Sequence, residues 1–209
     1  MFLSKQDIEA RTCELFPQRD LFDPKLVHEA SYDLRVGDEV FLSENQIPNL
    51  LTEDSPYVLL PPGQFALVKT FEKIFIPPDL IGLLSIRSRY KFQGLINISG
   101  FHVDPTYEGH LIFSVQNVGP NDIRLKFMEP AFMLMWAKLL HEYTGEKRKP
   151  GYDRIQLEHM AQLGGPSVTL TSLKRELDRI SLSLKISAAI GIALFGVLIA
   201  AVLRWFKPQ

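Results

Sequence analysis

One stretch of the sequence concentrates side chains that could bind an anion. SIRSRYKFQG (85–94) places three cations, Arg87, Arg89 and Lys91, together with Ser88 within five residues at the end of an apolar run. Guanidinium and hydroxyl groups held on a rigid edge can grip phosphate oxygens. A solvated loop has the same composition, but the glycine and the apolar stretch that follow favour a phosphate site.

A second stretch, GFHVDPTYEGHLIFSVQN (100–117), has an Asp-Pro turn followed by a run of alternating side chains. Successive side chains of a strand point to opposite sides, so the alternation predicts one apolar face and one face rich in hydrogen-bonding groups. A hairpin here would place Asp104 at its mouth. The apolar face is expected to hold Leu111, Phe113 and Val115, and the other face His110, Ile112, Ser114 and Gln116.

Two further stretches have compositions found at functional sites. SYDLRVGDEV (31–40) joins an acid and a base just before a glycine turn. MAQLGGPSVT (160–169) combines small residues with Gln162, which is typical of a mobile lid. The polar and basic segment 141–153 is expected to be an exposed loop.

The elements that must position these residues are mostly short strands. A short N-terminal helix is predicted, with Ser4 as its cap and an apolar side containing Ile8 and Leu15. Between Tyr32 and about Leu140, apolar runs alternate with turn signals such as PPG, IPPD and VGPND. This punctuation predicts an antiparallel barrel or sandwich and argues against a βαβ fold.

A helical pattern replaces the strand pattern after residue 166. Apolar residues then recur at alternating spacings of three and four, as in the a and d positions of a heptad: Leu170, Leu173, Leu177, Ile180 and Leu184. Two heptads are too short to associate alone. Spacing therefore leaves two interpretations open, a coiled-coil stalk and a single amphipathic helix packed on the domain.

The C-terminal run ISAAIGIALFGVLIAAVL (186–203) has no charged residue and is bracketed by Lys185 and Arg204. As a helix it would rise about 27 Å, close to the hydrocarbon thickness of a bilayer. A buried core helix is the alternative, but such helices are rarely apolar on every side at a chain end. The sequence therefore predicts a single C-terminal membrane anchor. The body has no apolar leader and is expected at the cytoplasmic face.

Bulk composition excludes several functions. The formal net charge is −1 and charged residues make up 22% of the chain, so no nucleic-acid partner is expected. Cys13 is the only cysteine, which rules out an intramolecular disulfide, and Cys/His spacing gives no structural metal site.

Over residues 1–167 the sequence resembles the trimeric dCTP deaminase/dUTPase superfamily. The resemblance implies a mainly β, distorted jelly-roll or β-barrel of the dUTPase type, assembled as a homotrimer with active sites between subunits. Arg87 and Ser88 of one chain would then meet Asp104 of its neighbour. The resemblance rests on the order and spacing of four segments: SYDLRVGDEV, IPPDLIGLLSIRSRYKFQGL, GFHVDPTYEGHLIFSVQN and MEPAFMLMWAKL.

The resemblance also implies roles for individual residues toward a pyrimidine deoxynucleoside triphosphate. Asp104 matches the aspartate that orients the attacking water in dUTPases. Mg²⁺ would arrive with the nucleotide, since it typically uses one or two carboxylates plus substrate oxygens. The implied nucleotide-binding residues are Arg87, Ser88, Arg89, Lys91, His102, Gln116 and, in the lid, Gln162.

The sequence departs from the deaminase pattern at the proton shuttle. Deaminases of the family carry a glutamate ten residues after the aspartate, and that position is Ser114 here. A hydroxyl with no adjacent base cannot take a proton from water near neutral pH. Glu108 could substitute as an acid/base, although a solvated turn residue is the simpler interpretation. Arg89 replaces the second serine of the family's Arg-Ser-Ser motif.

The sequence thus supports a membrane-anchored protein that binds, and as an enzyme would hydrolyse, a pyrimidine deoxynucleoside triphosphate. A non-catalytic nucleotide-sensing membrane effector is the main alternative, and a scaffold without nucleotide binding is a third. The expected organisation is a nucleotide-binding domain at 1–166, a helical stalk at 167–185, a transmembrane helix at 186–203 and a tail at 204–209.

Overall fold

A computed structural model describes residues 1–45, 47–145, 151–161 and 170–205. The chain divides into two compact units, Met1–Ser167 and Val168–Gln209. The first unit, called the body below, is mainly β and antiparallel, as the sequence predicts, and the second contains one long helix.

The strands of the body are short except where they form its centre. They are β1 Tyr32–Leu42, β2 Asn49–Leu50, β3 Tyr57–Leu60, β4 Phe65–Phe75, β5 Leu80–Ile86, β6 Leu95–Asn97, β7 His102–Val103, β8 Glu108–Asn117, β9 Ile123–Lys126 and β10 Pro130–Lys138. The helices are α1 Lys5–Ala10, α2 Thr12–Leu15, α3 Ser88–Lys91, α4 Leu157–Ala161 and α5 Leu170–Trp205, and 3-10 turns lie at Arg19–Leu21 and Pro24–Leu26.

The larger sheet runs in the order β6-β8-β4-β1-β10-β5-β7, with β2 paired to β1, and β3 pairs with β9 in a separate ribbon. All of these pairings are antiparallel. A cavity of about 570 Å³ is lined by residues of both β5 and β6, which lie toward opposite ends of that order. The sheet therefore curls into a half-barrel around its core.

Strand β8 shows why the alternating pattern folds as predicted. Its side chains alternate between buried and partly exposed along its whole length. Phe113 is fully buried and stacks on Phe132, with ring centroids 3.9 Å apart. Burying an aromatic side chain of this size contributes about 1.5–3 kcal/mol, so the apolar face fixes the register of β8.

The N-terminal helix α1 begins as predicted. Ser4 caps it in a capping box with Asp7, and Ile8 is fully buried. Arg11 then donates two hydrogen bonds of 2.8 Å to the carboxylate of Asp79. These hydrogen bonds from Arg11 lower the pKa of Asp79. The pair fastens the N-terminal helices to the turn before β5.

The predicted hairpin around Asp104 is wrong in one respect, because the strands on either side of the turn do not pair with each other. β7 pairs with β5, whereas β8 pairs with β4 and β6. The turn crosses between different parts of the curled sheet and is held by Ile76, which donates to the Tyr107 carbonyl at 2.9 Å and accepts from Thr106 at 2.7 Å. The two residues of β7 pair with Gly82 and Leu83 of β5. The edge of β8 that β4 leaves free is taken by β6 and, at His110, by Tyr152.

Residues 151–161 pass over β8 and β4 and form a segment that we call the strap. Gly151 donates a 2.7 Å hydrogen bond to the Glu108 carbonyl, and His110 donates one of 3.1 Å to the Tyr152 carbonyl. Ile155 and Met160 are buried in a small second core. The predicted loop 141–153 is exposed at its described ends, and residues 146–150 lie outside the described part.

Helix α5 joins the predicted stalk and the predicted span in one continuous element. It contains a stretch, Glu176–Ala200, that is long and apolar enough to cross a membrane, none of which is buried. The first residues of the predicted stalk (167–169) and the end of the predicted tail (206–209) lie outside the described residues.

Candidate functional site

The end of β5 and the single-turn helix α3 create a pocket that contains three of the predicted phosphate ligands, Arg87, Ser88 and Arg89. Arg87 precedes α3 in extended conformation, and its N–H donates to the Ala131 carbonyl at 3.0 Å. This bond ties the start of α3 to β10. The pocket, called the Arg87 pocket below, has a volume of about 300 Å³ and is lined by His28, Glu29, Ser31, Asp33, Arg87, Ser88, Arg89 and Met133.

A buried carboxylate lies at the centre of the Arg87 pocket. Asp33, on β1, has only 2% of its side chain exposed. Its Oδ2 lies 2.5 Å from Nη1 of Arg87 and 2.8 Å from Nε2 of His28. One carboxylate oxygen therefore fixes two side chains that come from different parts of the chain.

Arg89 also has a carboxylate partner, because its guanidinium donates to Glu129. Both arginines of the pocket are thus paired before any ligand arrives. Arg87 nevertheless keeps further N–H donors, since a guanidinium has five and its side chain is 37% exposed. Phosphate oxygens can accept hydrogen bonds from these remaining donors without breaking the pair with Asp33.

Lys91 lies apart from the two arginines. It ends the single turn of α3, and its Nζ donates to Ser85 Oγ of β5 at 2.8 Å. Its side chain lines the 570 Å³ cavity between β5 and β6, with Leu84, Ser85, Ile86, Leu95, Ile96, Asn97, Ser99 and Phe101. The compact cluster of cations that the sequence suggests is therefore split between two cavities.

The turn after β7 contributes to another pocket, called the Asp104 pocket below. It has a volume of about 320 Å³ and is lined by Leu84, Ser99, Gly100, His102, Val103, Asp104, Tyr107, Leu111, Ile112 and Tyr152. His102 Nε2 lies 3.5 Å from Asp104 Oδ1. Burial raises the pKa of Tyr107 to about 12, so its hydroxyl stays protonated and donates to the His110 carbonyl.

Ser114 occupies a polar part of the partly exposed face of β8. Its carbonyl accepts from Ile98 at 2.8 Å, and its N–H donates to Ser99 Oγ at 3.3 Å. Ser99 Oγ in turn donates to Asn97 Oδ1 at 2.6 Å. These contacts hold the backbone of Ser114 in place and are made by hydroxyl, amide and backbone groups.

The remaining predicted residues are spread along β8 and beyond it. Glu108 begins the strand, half exposed, with Oε1 3.7 Å from Lys73 Nζ. Gln116, near the other end, donates to the Gly63 carbonyl at 3.2 Å. Eight residues of extended chain separate them by about 27 Å, so one pocket of a single chain cannot contain both. Gln162 lies outside the described residues.

Sequence reasoning missed Asp33, His28 and Tyr152 as members of the pockets. A signal for Asp33 was present, since it lies between Tyr32 and Leu34 in a strand, both of which are fully buried. A carboxylate in such a strand is rarely buried without a partner. The partner itself could not be found from the sequence, because Arg87 lies more than fifty residues away.

The described residues contain no cluster of three or more His, Cys, Asp or Glu side chains that could hold a metal ion. Mg²⁺ takes few protein carboxylates when phosphate oxygens and water complete its shell. The single carboxylate of Asp104 in its pocket fits an ion that enters with the nucleotide.

Comparison with known proteins identifies the family to which this chain belongs. A family model described as dCTP deaminase-like matches residues 2–127, more than half of the chain. The chain therefore belongs to the dCTP deaminase-like family of nucleotide-processing enzymes, and the resemblance drawn from the sequence is confirmed.

Individual relatives agree with this assignment. The chain is 31% identical over 118 residues to a dCTP deaminase of Pyrococcus horikoshii, covering 56% of this chain and 73% of the relative. It is 31% identical over 140 residues to a dUMP-forming dCTP deaminase of Acidothermus cellulolyticus, covering 60% and 73%.

A solved structure supports the fold. The 2′-deoxycytidine 5′-triphosphate deaminase of Agrobacterium tumefaciens matches with a TM-score of 0.52 at 15% identity, over 65% of this chain and 48% of that one. At this identity the match speaks for the fold alone, and it confirms the predicted mainly β architecture.

Proposed function

We propose that this protein binds a pyrimidine deoxynucleoside triphosphate at a membrane surface, and that its deamination step is absent or altered. The proposal rests on which of the family's functional residues the two pockets keep and which one the chain has replaced. Arg87 and Ser88 line one pocket and Asp104 lines the other, whereas Ser114 stands where deaminases carry glutamate. The relatives' names supply the substrate class, dCTP with dUMP as one product.

The phosphate chain is assigned to the Arg87 pocket because of its donors. The guanidinium of Arg87 is oriented by Asp33 and still offers unused N–H groups toward the cavity. Ser88 adds a hydroxyl beside it, and Arg89, 63% exposed, adds a second guanidinium at the rim. A planar guanidinium group can donate two parallel N–H hydrogen bonds to the oxygens of a phosphate group.

We assign the bond-breaking step of the proposed reaction to the Asp104 pocket. With no carboxylate at position 114, the ionisable pair that remains there is His102 and Asp104, 3.5 Å apart. Asp104 could orient a water for attack on the phosphate chain, a role that requires no proton transfer to the pyrimidine ring. Mg²⁺ bound with the nucleotide would neutralise phosphate charge. Diphosphate release from dUTP is therefore the enzymatic activity that this pocket supports best.

A homotrimer would bring the two pockets together. Within one chain they share no lining residue. The chain between them exposes large apolar side chains, which mark an interaction surface when they cluster. These are Phe92, Ile96, Ile98 and Phe101, exposed by 89%, 42%, 50% and 70%. Burying them between copies would let Arg87 of one chain approach Asp104 of another.

Helix α5 supports the membrane part of the proposal. The predicted span, residues 186–203, is preceded by four positive residues, and positive residues favour the cytoplasmic side of a span. They are Lys174, Arg175, Arg179 and Lys185. Truncation after Leu184 should release the protein from the membrane fraction while nucleotide binding is retained. If the truncated chain still sediments with membranes after a carbonate wash, the anchor hypothesis is wrong.

The second candidate function is a non-catalytic effector that passes the nucleotide state of the body to α5. The loss of the glutamate at position 114 and the presence of an apolar helix favour it. A Leu184→Cys variant in a Cys13→Ser background would report on it through disulfide formation between copies. The effector predicts a cross-linking rate that changes on adding dCTP or dUTP, and an unchanged rate argues against it.

One experiment separates the candidates. Detergent-solubilised full-length protein is incubated with dCTP or dUTP and Mg²⁺, and bound nucleotide and products are measured in the same sample. Release of dUMP supports a phosphate-chain hydrolase, and dUTP formed from dCTP supports a deaminase with another proton shuttle. Binding without product supports the effector. No binding of either nucleotide overturns the proposal.

A further inference from the structure

His28 has a position in the Arg87 pocket that neither the family assignment nor the sequence motifs explain. It precedes β1 and lines the pocket, with 43% of its side chain exposed. Its Nε2 lies 2.8 Å from Asp33 Oδ2, the same oxygen that contacts Arg87. Asp33 itself is buried on central strand β1, between two fully buried residues. Its carboxylate therefore has a fixed position relative to His28 and Arg87.

The charges around His28 nearly cancel. Asp33 offsets Arg87, and Glu129 offsets Arg89. Glu29, the neighbour of His28 in the chain, adds a negative charge to the pocket lining. A phosphate chain carries several negative charges, and with His28 neutral these groups provide no excess of positive charge to receive it. Protonation of His28 adds one positive charge and brings the sum of these charges from −1 to zero, which favours the phosphate chain.

The geometry also determines what protonation would do at the ring. Because Nε2 faces the Asp33 carboxylate, it is the nitrogen that carries the hydrogen in the neutral ring, and Nδ1 is then an acceptor. An acceptor repels phosphate oxygens. In the imidazolium both nitrogens are donors, so Nδ1–H becomes available to the pocket. Histidine is the side chain that ordinarily changes charge between pH 5 and 8.

We propose that His28 is a proton-dependent ligand of the phosphate chain, and that Asp33 is the positioning residue that holds His28 and Arg87 side by side. This inference rests on the proposed function, since it takes the Arg87 pocket as the phosphate site. Binding of the phosphate chain is then coupled to uptake of a proton by His28. Affinity therefore rises as the pH falls and declines as the pH rises.

The test is isothermal titration calorimetry on detergent-solubilised full-length protein at pH 6, 7 and 8. The probes are dCTP and, to remove any contribution of the base, inorganic triphosphate, both with EDTA to prevent turnover. His28→Gln keeps a neutral donor for Asp33, and His141→Gln removes an exposed histidine elsewhere in the body as the matched control. The ligands' own protonation is identical for all three proteins.

Between pH 8 and pH 6, wild type and His141→Gln should gain about tenfold in affinity relative to His28→Gln. This is the lower end of the effect of a charge-assisted contact to phosphate, because the His28 side chain is 43% exposed. Titration at pH 7 in two buffers of different ionisation enthalpy should show more proton uptake on binding for the wild type than for His28→Gln. Equal pH dependence and equal proton uptake in the three proteins would overturn the role of His28 while leaving the phosphate site intact. Absence of binding in the wild type at every pH would overturn the phosphate site as well.

Asp33 is tested separately, with rescue by the conservative variant. Asp33→Asn should abolish the pH-dependent part of the affinity, and Asp33→Glu should restore part of it. Thermal unfolding identifies variants that do not fold. For those, the proton uptake of His28→Gln, whose site is half exposed, remains the deciding measurement. A folded Asp33→Asn protein with the wild-type pH dependence would contradict the positioning role.

Discussion

The Arg87 pocket and the Asp104 pocket are similar in volume, about 300 and 320 Å³, but they hold their functional groups in different ways. In the first, a carboxylate on a central strand fixes two partners at 2.5 and 2.8 Å. In the second, Asp104 and His102 lie 3.5 Å apart, around a turn, with side chains 31% and 41% exposed. The Arg87 pocket, proposed to bind phosphate, is thus anchored on a central strand, whereas the Asp104 pocket, proposed to be reactive, is formed around a turn.

This difference explains why one half can change more easily than the other. Replacing Asp33 would leave Arg87 without its partner beside the core, which costs stability. Ser114 lies on the partly exposed face of β8, so its replacement leaves the buried face with Phe113 unchanged. If the proposed roles are correct, mutations at position 114 should change chemistry while leaving the Arg87 pocket intact.

The largest effect is expected from restoring the carboxylate on the reactive side. Ser114→Glu should confer dCTP deamination, because a positioned general acid/base contributes about 10²–10⁴-fold in rate. Ammonia release and chromatographic detection of dUTP measure it. Ser114→Gln, which has the same shape without the ionisable group, should remain inactive.

Deamination by the wild-type protein would contradict this interpretation of the Asp104 pocket. It would mean that another residue transfers the proton, and Glu108→Gln would then test the nearest candidate in the sequence. A Ser114→Glu protein that binds dCTP but releases no ammonia would show that the surroundings of position 114 no longer fit the reaction.

A smaller effect is expected on the binding side. A charge-assisted contact to phosphate contributes about 1.5–3 kcal/mol, so Arg87→Ala should weaken nucleotide affinity by roughly 10- to 150-fold. Lys91→Ala is the matched control and should cost less, since Lys91 lies in a different cavity. Calorimetry with dCTP and dUTP measures both. Equal affinities of wild type and Arg87→Ala would place the phosphate site elsewhere.

The smallest expected effect is on the pH dependence of stability, at His110, where the strap packs beside the Asp104 pocket. Burial, together with the positive charge of Lys69, lowers the pKa of His110. The unfolded chain takes up this proton at the ordinary histidine value of about 6.5, whereas the folded protein resists it, so stability falls as the pH drops below that value. His110→Gln should lose less stability than wild type or His141→Gln between pH 7.5 and 5.5.

Thermal unfolding at the two pH values checks this prediction. His141 is exposed and serves as the control because its removal leaves His110 in place. If all three proteins lose the same stability on acidification, His110 is protonated as readily in the folded state as in the unfolded chain, and the strap does not shield it.

The sequence by itself determined the local features of this protein. Alternation predicted the faces of β8, the spacing of Ser4 and Asp7 predicted the start of α1, and uninterrupted apolar composition predicted a helix able to span a membrane. Each of these depends on residues a few positions apart, where backbone periodicity and capping act directly. Motif order and spacing carried the family assignment in the same way.

Only the tertiary structure decided how the pockets are assembled. It brought Asp33 to Arg87, turned Lys91 toward Ser85, and sent the chain after Asp104 across the curled sheet instead of into a hairpin. These outcomes depend on which strands become neighbours, and strand pairing joins residues that no local pattern relates. Asp33 appears in the sequence only as part of a strand motif, but in the fold its buried carboxylate contacts both Arg87 and His28.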